Sequence, residues 1–389
     1  MAKKILTIAN KVIFPTSDGG SMAMSNLAMI LQNRNYKIDI VSISKNNKVK
    51  NSNQPKKLTI NNYITQITFE KNMCFNFNSL ITSLFTTNAY QAIRFYDIYI
   101  KDYIQKLIDE NLYEIIIFES IFSTIYLSKL KINKNTKTIL RAHNVEHKIW
   151  TDLANNQIIK KIIFLFLSSQ IKKNEENIGH FVDFIFTISD FDKKYFSQLF
   201  PKKTFNIPVT FRTYKNNIRK IPNSIYHLGA MDWKPNIQGL KWFMSQVLPS
   251  LNKENISIYI AGKNMPKYFY NYKNHNTIIE SDIKHVETYI KDKEILFVPI
   301  FSGSGIRIKI LEAMAYGIPV VSTSKGAQGI PYTNEKNILI ADDKNEFTMS
   351  IIRLIKNKKL AKTIGDNGKK LIESHFSDLV VNEKLNNII

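Results

Sequence analysis

The stretch FVPIFSGSGIRIKILEAMAYGIPVVSTSKGAQG, residues 297–329, decides the fold of this chain. An apolar run from Ile295 to Ile300 leads into it, and its length and β-branching predict a buried parallel strand. Ser302-Gly303-Ser304-Gly305 follows, and a helical pattern then runs from Ile306 to Tyr316. Two glycines within four residues let the backbone approach a ligand closely, at an entropic cost that packing alone does not require. Ser304 is expected to cap the helix.

The charges of this predicted helix run against its macrodipole. Arg307 and Lys309 fall in the first turns, where the dipole is positive, and Glu312 lies nearer the negative end. A glycine loop, a helix N-terminus and two cations together predict an anion site, most simply for a diphosphate. The carboxylate of Glu312, on the same face as Lys309, is placed to accept hydrogen bonds from sugar hydroxyls. The alternative is an amphipathic helix whose charges are solvated.

Three motifs in the stretch resemble the donor-binding signature of retaining glycosyltransferases of the GT-B fold, family 4. They are Leu311-Glu312-Ala313-Met314-Ala315, Gly317-Ile318-Pro319-Val320-Val321 and Gly326-Ala327-Gln328-Gly329. In that family the first motif ends a Glu-x7-Glu pair, and this sequence has Ser304 where the first glutamate is expected. The departure fits a sub-branch with a G-x-G-x-R-x-K-x-L-E pattern.

The resemblance implies an α/β protein of GT-B type, with two Rossmann-like domains facing each other across a cleft. It implies transfer of a sugar, with retention of configuration, from a nucleoside-diphosphate sugar to a glycan or polyprenyl-linked acceptor. The implied setting is bacterial surface polysaccharide or glycoconjugate assembly. The nucleotide is expected in the C-terminal domain and the acceptor, whose contacts stay unknown, in the N-terminal domain.

The resemblance also assigns the donor site, residue by residue. The residues expected to bind the donor in the C-terminal domain are Gly229, Lys234, Gly303, Ser304, Gly305, Ile306 and Glu312. The family usually places an arginine and a lysine in the loop after the first strand of this domain, and here Lys234 is the only cation in that loop. We therefore expect Arg307 and Lys309 to stabilise the leaving diphosphate, so that neither a metal nor a cofactor is needed.

The loop after the first strand of the chain carries paired glycines. Lys4 to Ala9 reads as that strand, and Asp18-Gly19-Gly20-Ser21 precedes a helical pattern that continues to Asn33. The opening is that of a nucleotide-binding α/β unit, although it lacks G-x-G-x-x-G. The resemblance assigns Gly19 and Gly20 to the donor side of the cleft. The alternative is a plain tight turn.

The segment Arg141-Ala142-His143-Asn144-Val145-Glu146-His147 comes directly after another predicted strand. Its two histidines have metal-like i, i+4 spacing, but the order is H-N-V-E-H rather than H-E-x-x-H. In the resembled family a histidine at this place reaches the transferred sugar, and His143 fits it. A neutral imidazole can hydrogen-bond a hydroxyl without a counter-charge. Asn144 and Glu146 are expected to support His143, and His147 to begin the next helix.

Two apolar segments of the N-terminal half leave alternatives open. Phe75 to Glu110 is aromatic-rich and helical in pattern, and core packing is favoured over a surface that faces the acceptor. Ile162 to Leu167, flanked by Lys160-Lys161 and Lys172-Lys173, predicts a helix that is either buried as a crossover, the commoner outcome, or lies on a membrane. The run is far too short to span a bilayer.

The amino-acid composition limits which binding partners and which cellular compartment are expected. A formal net charge of +22 favours anionic surroundings, such as phospholipid or nucleotide phosphates, although lysine is spread along the whole chain. No zinc-finger, basic-zipper or RNP-like motif is present, which argues against nucleic acid. The single Cys74 excludes an internal disulfide, fits a reducing cytoplasm and is expected to be buried. We therefore expect a cytoplasmic protein, with the inner membrane face as its possible site of action.

The length of 389 residues favours two domains, because single cores stop growing at shorter lengths. We predict an N-terminal domain at 1–207, a linker at 208–223, a C-terminal domain at 224–370, and a last helix at 371–389 that crosses back to the first domain. Two other functions fit the same patterns. One is a GT-B sugar epimerase or phosphorylase, and the other is a non-catalytic basic protein that binds membrane or glycan.

Overall fold

The computed structural model describes residues 3–46, 54–86, 88–155, 160–214, 218–283 and 286–389. The chain divides into two compact units, Met1–Val209 and Thr210–Ile389. The predicted linker at 208–223 includes residues 215–217, which lie outside the described residues. The return of the last helix to the first domain stays a prediction.

The first unit is built on a sheet of mostly parallel strands. Its strands are β1 (Lys4–Ala9), β2 (Lys37–Lys45), β3 (Lys56–Thr59), β4 (Ile64–Lys71), β5 (Ile115–Glu119), β6 (Lys137–Ala142), β7 (Phe184–Thr187) and β8 (Thr204–Asn206). The helices are α1 (Gly19–Asn33), α2 (Phe77–Phe85), α3 (Tyr90–Phe95), α4 (Ile98–Glu110), α5 (Glu146–Asn155), α6 (Lys161–Ile178) and α7 (Asp190–Leu199). A 3-10 helix spans Ser123–Lys129.

The strands of this sheet follow the order β3-β4-β2-β1-β5-β6-β7-β8. All pair in parallel except β3, which is antiparallel to β4. The central strands are buried along most of their length and mostly apolar, as is typical of parallel strands covered by helices on both faces. In β5, for example, every residue of Ile-Ile-Ile-Phe-Glu is buried.

The second unit repeats this architecture with fewer strands. Its strands are β9 (Ser224–Leu228), β10 (Ser257–Gly262), β11 (Thr277–Ser281), β12 (Ile295–Val298), β13 (Val320–Ser322) and β14 (Leu339–Ile340). The helices are α8 (Lys234–Trp242), α9 (Leu248–Leu251), α10 (Val286–Lys291), α11 (Ile308–Ala315), α12 (Lys344–Lys356), α13 (Lys358–His375) and α14 (Asp378–Asn386). A π-helix joins α8 to α9 at Phe243–Val247, and a 3-10 helix spans Lys267–Tyr272.

The strand order of the second sheet is β11-β10-β9-β12-β13-β14, and all the strands are parallel. Numbered from β9, this is the order 3-2-1-4-5-6 of a Rossmann-like fold. Its core is centred on stacked aromatic rings, with the rings of Phe243 and Phe297 4.0 Å apart. The α/β architecture predicted from the sequence is therefore confirmed.

Three expectations about burial are wrong. The thiol of Cys74 lies on the surface. Helix α2 buries Ser83 but exposes its large apolar side chains, although core packing was expected for this segment. The first turns of α6 are exposed as well, whereas Leu167 and Ile171 further along the helix are buried. Among the described residues, no helix is long and apolar enough to cross a membrane.

Candidate functional site

The predicted donor residues of the second unit lie where its strand order reverses. Strands β9 and β12 are neighbours, yet the chain leaves β9 for one side of the sheet and β12 for the other. In open α/β sheets, ligands bind at the carboxyl ends of the two strands that flank such a switch point. The loop with Gly229 follows β9, and the glycine loop at 302–305 follows β12. The fold therefore brings these two loops together.

The glycine loop needs its glycines. Gly303 and Gly305 have φ angles of +91° and +86°, in the left-handed region that other residues rarely adopt. A Cβ on Gly303 would also come within 2.8 Å of the indole of Trp233. The close approach of a ligand to this loop stays a prediction.

Helix α11 begins at Ile308, with Arg307 at the N-cap position, so the prediction that Ser304 caps the helix is wrong. The side chain of Arg307 turns back on the loop and donates hydrogen bonds to the carbonyls of Ser304 (2.7 Å) and Gly305 (2.6 Å). Its guanidinium also lies 4.6 Å from the ring of Trp233. Arg307 is buried in this position and holds the loop in shape.

The hydroxyl of Ser304 points into the loop without a hydrogen-bond partner among the described residues. Ile306 is buried beside it. Lys234 is the exposed first residue of α8, on the other loop of the switch point. For Ser304, Ile306 and Lys234, contact with a donor stays a prediction.

Lys309 joins the two loops. Its ammonium donates to Asn236 Oδ1 at 3.1 Å, and Asn236 in turn donates to the carbonyl of Ala230 at 2.8 Å. A Cβ on Gly229 would stand 2.8 Å from the Lys309 nitrogen, so a side chain at that position would displace the ammonium. Burial, with the nearby charge of Arg307, lowers the pKa of Lys309 to about 7. A bound anion would therefore stabilise the charged form of Lys309.

Glu312 lies one turn further along α11 and is partly buried. No described group donates a hydrogen bond to its carboxylate. Burial, to which the charge of Glu287 adds, raises the pKa of Glu312 to about 7. The charged form of a carboxylate is destabilised when it is desolvated and accepts no hydrogen bond. Hydroxyl groups of a ligand that donate hydrogen bonds to it would offset this cost.

The first unit has a switch point of the same kind between β1 and β5. Gly19 and Gly20 form the first turn of α1, and Asp18 caps this helix together with Ser21. The ammonium of Lys11 binds both carboxylate oxygens of Asp18, at 2.8 and 2.7 Å. A Cβ on Gly20 would stand 2.9 Å from that ammonium. The glycines thus open a helix rather than form a free loop.

His143 follows β6 and forms a buried pair with Glu119 at the end of β5. Its Nε2 lies 2.6 Å from Glu119 Oε2, and Arg141 lies 3.5 Å from the other carboxylate oxygen. Burial disfavours the charge of Glu119, but Arg141 and His143 outweigh it and lower the pKa of this carboxyl. Burial lowers the pKa of His143, although Glu119 opposes this effect. The lowered pKa favours the neutral imidazole at pH 7.

The pairing with Glu119 fixes the tautomer of His143. An ionised carboxylate can only accept, so Nε2 carries the proton and Nδ1 keeps a lone pair. Nδ1 is buried and has no hydrogen-bond partner among the described residues. An acceptor atom in this state is suited to a hydroxyl donor from a ligand.

His147 and its neighbours serve the start of α5. His147 Nδ1 lies 2.5 Å from Glu175 Oε2, and Glu175 also accepts the backbone N–H of Glu146 at 2.7 Å. Asn144 donates to Glu146 at 3.1 Å rather than to His143. The expected support of His143 by Asn144 and Glu146 is therefore absent from the described contacts, and Glu119 takes that role. The two histidines bind different carboxylates.

Five residues of these sites were not predicted from the sequence. They are Lys11, Glu119 and Arg141 in the first unit and Trp233 and Asn236 in the second. One signal was available, since Glu119 and His143 end neighbouring strands of a parallel sheet, whose carboxyl ends meet at one edge. Asn236 and Lys309 are 73 positions apart, and nothing in the sequence pairs them.

The comparisons with known proteins bear on these sites. Residues 222–357 match the family model described as glycosyl transferases group 1. An uncharacterized 44.6 kDa protein in the cps region of Klebsiella pneumoniae is 25% identical over 394 residues, which cover 96% of each chain.

Two solved structures show the fold. Sucrose-phosphate synthase from Thermosynechococcus elongatus has a TM-score of 0.72 at 14% identity, over 99% of this chain and 98% of its own. A TarM variant from S. aureus, solved with fondaparinux, alpha-GlcNAc-glycerol and UDP, has a TM-score of 0.70 at 14% identity, over 99% of each chain. The fold is therefore of the GT-B type.

Proposed function

We propose that this chain, whose fold is of the GT-B type and whose residues 222–357 match the family model described as glycosyl transferases group 1, is a glycosyltransferase that transfers a sugar from a nucleoside-diphosphate donor to a glycan or lipid-linked acceptor. One observation carries the proposal. At the β9/β12 switch point, burial displaces the pKa values of Lys309 and Glu312 to about 7. Perturbed groups of this kind, next to a glycine loop, are typical of a ligand site.

In this proposal the diphosphate lies against Lys309 and the start of α11, and a sugar or ribose hydroxyl donates to Glu312. The bond between the anomeric carbon and the diphosphate oxygen breaks, and the acceptor hydroxyl forms the new bond with its proton passing to the departing phosphate. Lys309 stabilises the charge that grows on the diphosphate. Retention of configuration follows the family resemblance.

Two solved structures of similar fold support the choice of donor. The TarM variant was solved with UDP, and HepE from Anabaena, with a TM-score of 0.61 at 12% identity over 99% of this chain and 98% of its own, was solved with UDP-glucose. The acceptor side has its own support. A cavity of about 550 Å³ in the first unit is lined by polar and charged residues, among them Lys71, Asn76 and Arg94. Lys71 ends β4, at the same sheet edge as Glu119. We propose this cavity for the acceptor, with Arg94 suited to a phosphate on a lipid-linked one, while Lys71 pairs with Asp97 of the same lining at 3.5 Å.

The test of the proposed function is a transfer assay with a panel of UDP- and GDP-sugars and lipid-linked or glycan acceptors. We expect release of one nucleoside diphosphate per sugar transferred, and an anomeric proton coupling in the product that matches the donor. Conversion of the donor sugar without transfer would favour an epimerase. Inverted configuration in the product would contradict the assignment to a retaining enzyme.

We expect transfer to proceed without a divalent metal, because Lys309 and the helix N-terminus meet the diphosphate charge. Prolonged treatment with EDTA should leave the initial rate unchanged, and added Mg²⁺ or Mn²⁺ should change it less than twofold. Loss of activity in EDTA that either metal restores would show that a divalent metal ion, rather than Lys309 and the helix N-terminus, neutralises the diphosphate charge.

We expect His143 to act on the transferred sugar. His143→Ala should lower turnover by roughly tenfold or more, the equivalent of one well-placed hydrogen bond, while the affinity for the nucleoside diphosphate changes little. His147→Ala is a matched control, because it also removes a histidine bound to a buried glutamate. If both variants lose turnover equally, or if purified protein contains stoichiometric zinc, His143 has no special role at the sugar.

We also propose that the enzyme works in the cytoplasm, at the inner face of an anionic membrane. The net charge of +22 supports this, since anionic lipids attract lysine-rich surfaces. The enzyme would encounter a lipid-linked acceptor at this membrane face. The part of the molecule that would contact the membrane follows from its exposed apolar side chains.

A further inference from the structure

Helix α2 is an amphipathic helix with its apolar face turned outwards. Phe77, Leu84 and Phe85 are all more than half exposed, and Phe85 is 84% exposed. Ser83 is the residue of this helix that is buried. A helix of a globular protein normally buries its apolar stripe and exposes its polar one. This reversed arrangement leaves a large apolar area that the described part of the first unit does not cover.

The first turns of α6 present a second apolar area. Ile162 is 83% exposed, and Ile163 and Phe166 are exposed as well. Lys160 and Lys161 precede them at the helix N-terminus, where cations are electrostatically unfavourable for the helix itself. The two lysines therefore do not stabilise the N-terminus of α6, and its exposed apolar side chains gain no burial within the described part of the chain.

The two areas form one surface, because Gln170 of α6 fastens α6 to the end of α2. Its side-chain amide donates to the carbonyl of Ser83 at 2.8 Å and accepts the backbone N–H of Tyr90 at 3.2 Å. Phe166 and Ile163 lie one and two turns before Gln170, on the same side of α6. We call the surface of Phe77, Leu84, Phe85, Ile162, Ile163 and Phe166 the α2–α6 surface.

The two chain segments that carry the α2–α6 surface contain basic residues and no carboxylates, and Glu176, just beyond the second segment, pairs with Lys172 at 3.7 Å. The sequence contains no aspartate or glutamate from Lys71 to Tyr96, and none from Leu153 to Asn174. Lys160 and Lys161 stand at one end of the apolar part of α6, and Lys172 and Lys173 are exposed beyond its other end. Lysine side chains can lay their stems along apolar surface and keep their ammonium groups at the level of lipid headgroups.

We propose that the α2–α6 surface docks on an anionic lipid membrane, with its apolar side chains in the boundary between headgroups and acyl chains and its lysines at the headgroup phosphates. Stable membrane binding takes two signals, and apolar insertion and basic charge are both present here. The proposal deepens the membrane setting of the proposed function, and it names the surface that makes the contact. Phe75 and Ser79 flank α2's first turn and also line the cavity proposed for the acceptor.

The test uses sedimentation with vesicles of phosphatidylglycerol and phosphatidylethanolamine, and with vesicles of phosphatidylcholine alone. Wild-type protein is expected to bind the anionic vesicles, and to bind them less tightly as salt is raised. Phe85→Ser combined with Ile162→Ser should weaken binding at least tenfold at both low and high salt. Both side chains are exposed, so the folded state should be unaffected.

The charge is tested separately. Lys160→Gln combined with Lys161→Gln should weaken binding about 25-fold at low salt, since each lysine near an anionic surface is worth about fivefold, and much less at high salt. The matched controls are Leu112→Ser, an 83% exposed leucine outside the surface, and Lys131→Gln combined with Lys134→Gln. Both controls should bind vesicles as the wild type does.

Three results would overturn the proposal. The first is that the wild type does not bind anionic vesicles. The second is that the control variants lose binding as strongly as the surface variants. The third is that Phe85→Ser with Ile162→Ser converts a lipid-free dimer into a monomer. The last result would assign the surface to a second copy of the chain. Thermal stabilisation by nucleotide sugars needs no vesicles, so failure of the membrane proposal and failure of the transferase proposal are distinguishable.

Discussion

Replacing Lys309 with methionine is expected to lower sugar transfer on the order of 10²- to 10³-fold, the loss seen when one preorganised donor to a developing negative charge is removed. Methionine keeps most of the apolar stem and removes the ammonium. Turnover should fall by more than donor affinity does, because phosphate charge grows as the glycosidic bond breaks. Steady-state kinetics with saturating donor measures it.

The same variant should lose a pH dependence. The pKa of Lys309 lies at about 7 in the ligand-free protein, and a bound diphosphate would raise it. Donor affinity of the wild type should therefore weaken as pH rises above 7, by up to about tenfold per pH unit. In Lys309→Met the affinity should be weaker at pH 7 and flat above it. Calorimetric titration with the nucleoside diphosphate between pH 6 and 9 measures both.

The stability of the ligand-free variant supplies the control. Because the folded pKa of Lys309 lies below its ordinary value of 10.5, the wild type gains stability from this group as pH rises from about 7 to 10.5. Lys309→Met should therefore melt at the same or a higher temperature at pH 7. Lys344→Met, an exposed lysine in the first turn of α12, should change neither turnover nor affinity. A lower melting temperature with full activity would make Lys309 a structural residue.

Replacing Glu312 with alanine is expected to weaken donor binding by on the order of 10- to 100-fold, since charge-assisted hydrogen bonds are worth roughly 1.5–3 kcal/mol. Glu312→Gln keeps the shape and an acceptor oxygen, so it should lose less. If donor affinity rises from Glu312→Ala to Glu312→Gln to the wild type, the carboxylate accepts hydrogen bonds from the donor. Direct binding of the nucleotide sugar, rather than turnover, is the measurement.

Glu312→Gln should also stabilise the ligand-free protein, and only above acidic pH. The pKa of Glu312 is raised from 4.5 to about 7 by burial and by Glu287. The stability contributed by the protonated form is thus complete below pH 4.5 and lost as pH rises through 7. The variant and the wild type should melt together near pH 4.5, and the variant should melt several degrees higher at pH 8, since ~1 kcal/mol is worth about 2–4 °C in a domain of this size.

Glu383→Gln, at an exposed position of α14, is the matched control for charge removal in the same unit. Its melting temperature should follow that of the wild type at every pH. If Glu312→Gln melts below the wild type at pH 8 and keeps donor affinity, the carboxylate is part of the fold and the donor binds elsewhere.

The glycine loop shows what the sequence could predict. Gly303 and Gly305 predicted a glycine loop before a helix, and a loop at these residues, with positive φ angles at both, precedes α11. The predicted helix start was wrong by two residues, since Arg307 is the N-cap residue and its guanidinium binds the loop carbonyls. A side chain that bonds its own loop leaves no periodic signal. Arg307 consequently holds the loop, and its contact with a phosphate stays a prediction.

Two other features could not be predicted from the sequence: contacts between residues far apart in the chain, and apolar helix faces that are exposed. Asn236 meets Lys309 only because β9 and β12 are neighbours. Helix α2 has the apolar spacing of a core helix, and periodicity shows that a face is apolar without showing what covers it. Its exposure became visible only when the packing was known. Short strands such as β13 and β14 were missed because two or three residues carry no measurable pattern.

The central claim is that the second unit binds a nucleoside-diphosphate sugar at the start of α11. The most direct test is a thermal-shift titration of the wild type, Lys309→Met and Glu312→Ala with UDP- and GDP-sugars and with the free monosaccharides. A ligand that binds the folded state stabilises it by mass action. The account predicts a saturable rise in melting temperature with one nucleotide sugar, none with the monosaccharide alone, and a much smaller rise in both variants. No stabilisation by any nucleotide sugar, or an equal rise in all three proteins, would contradict it.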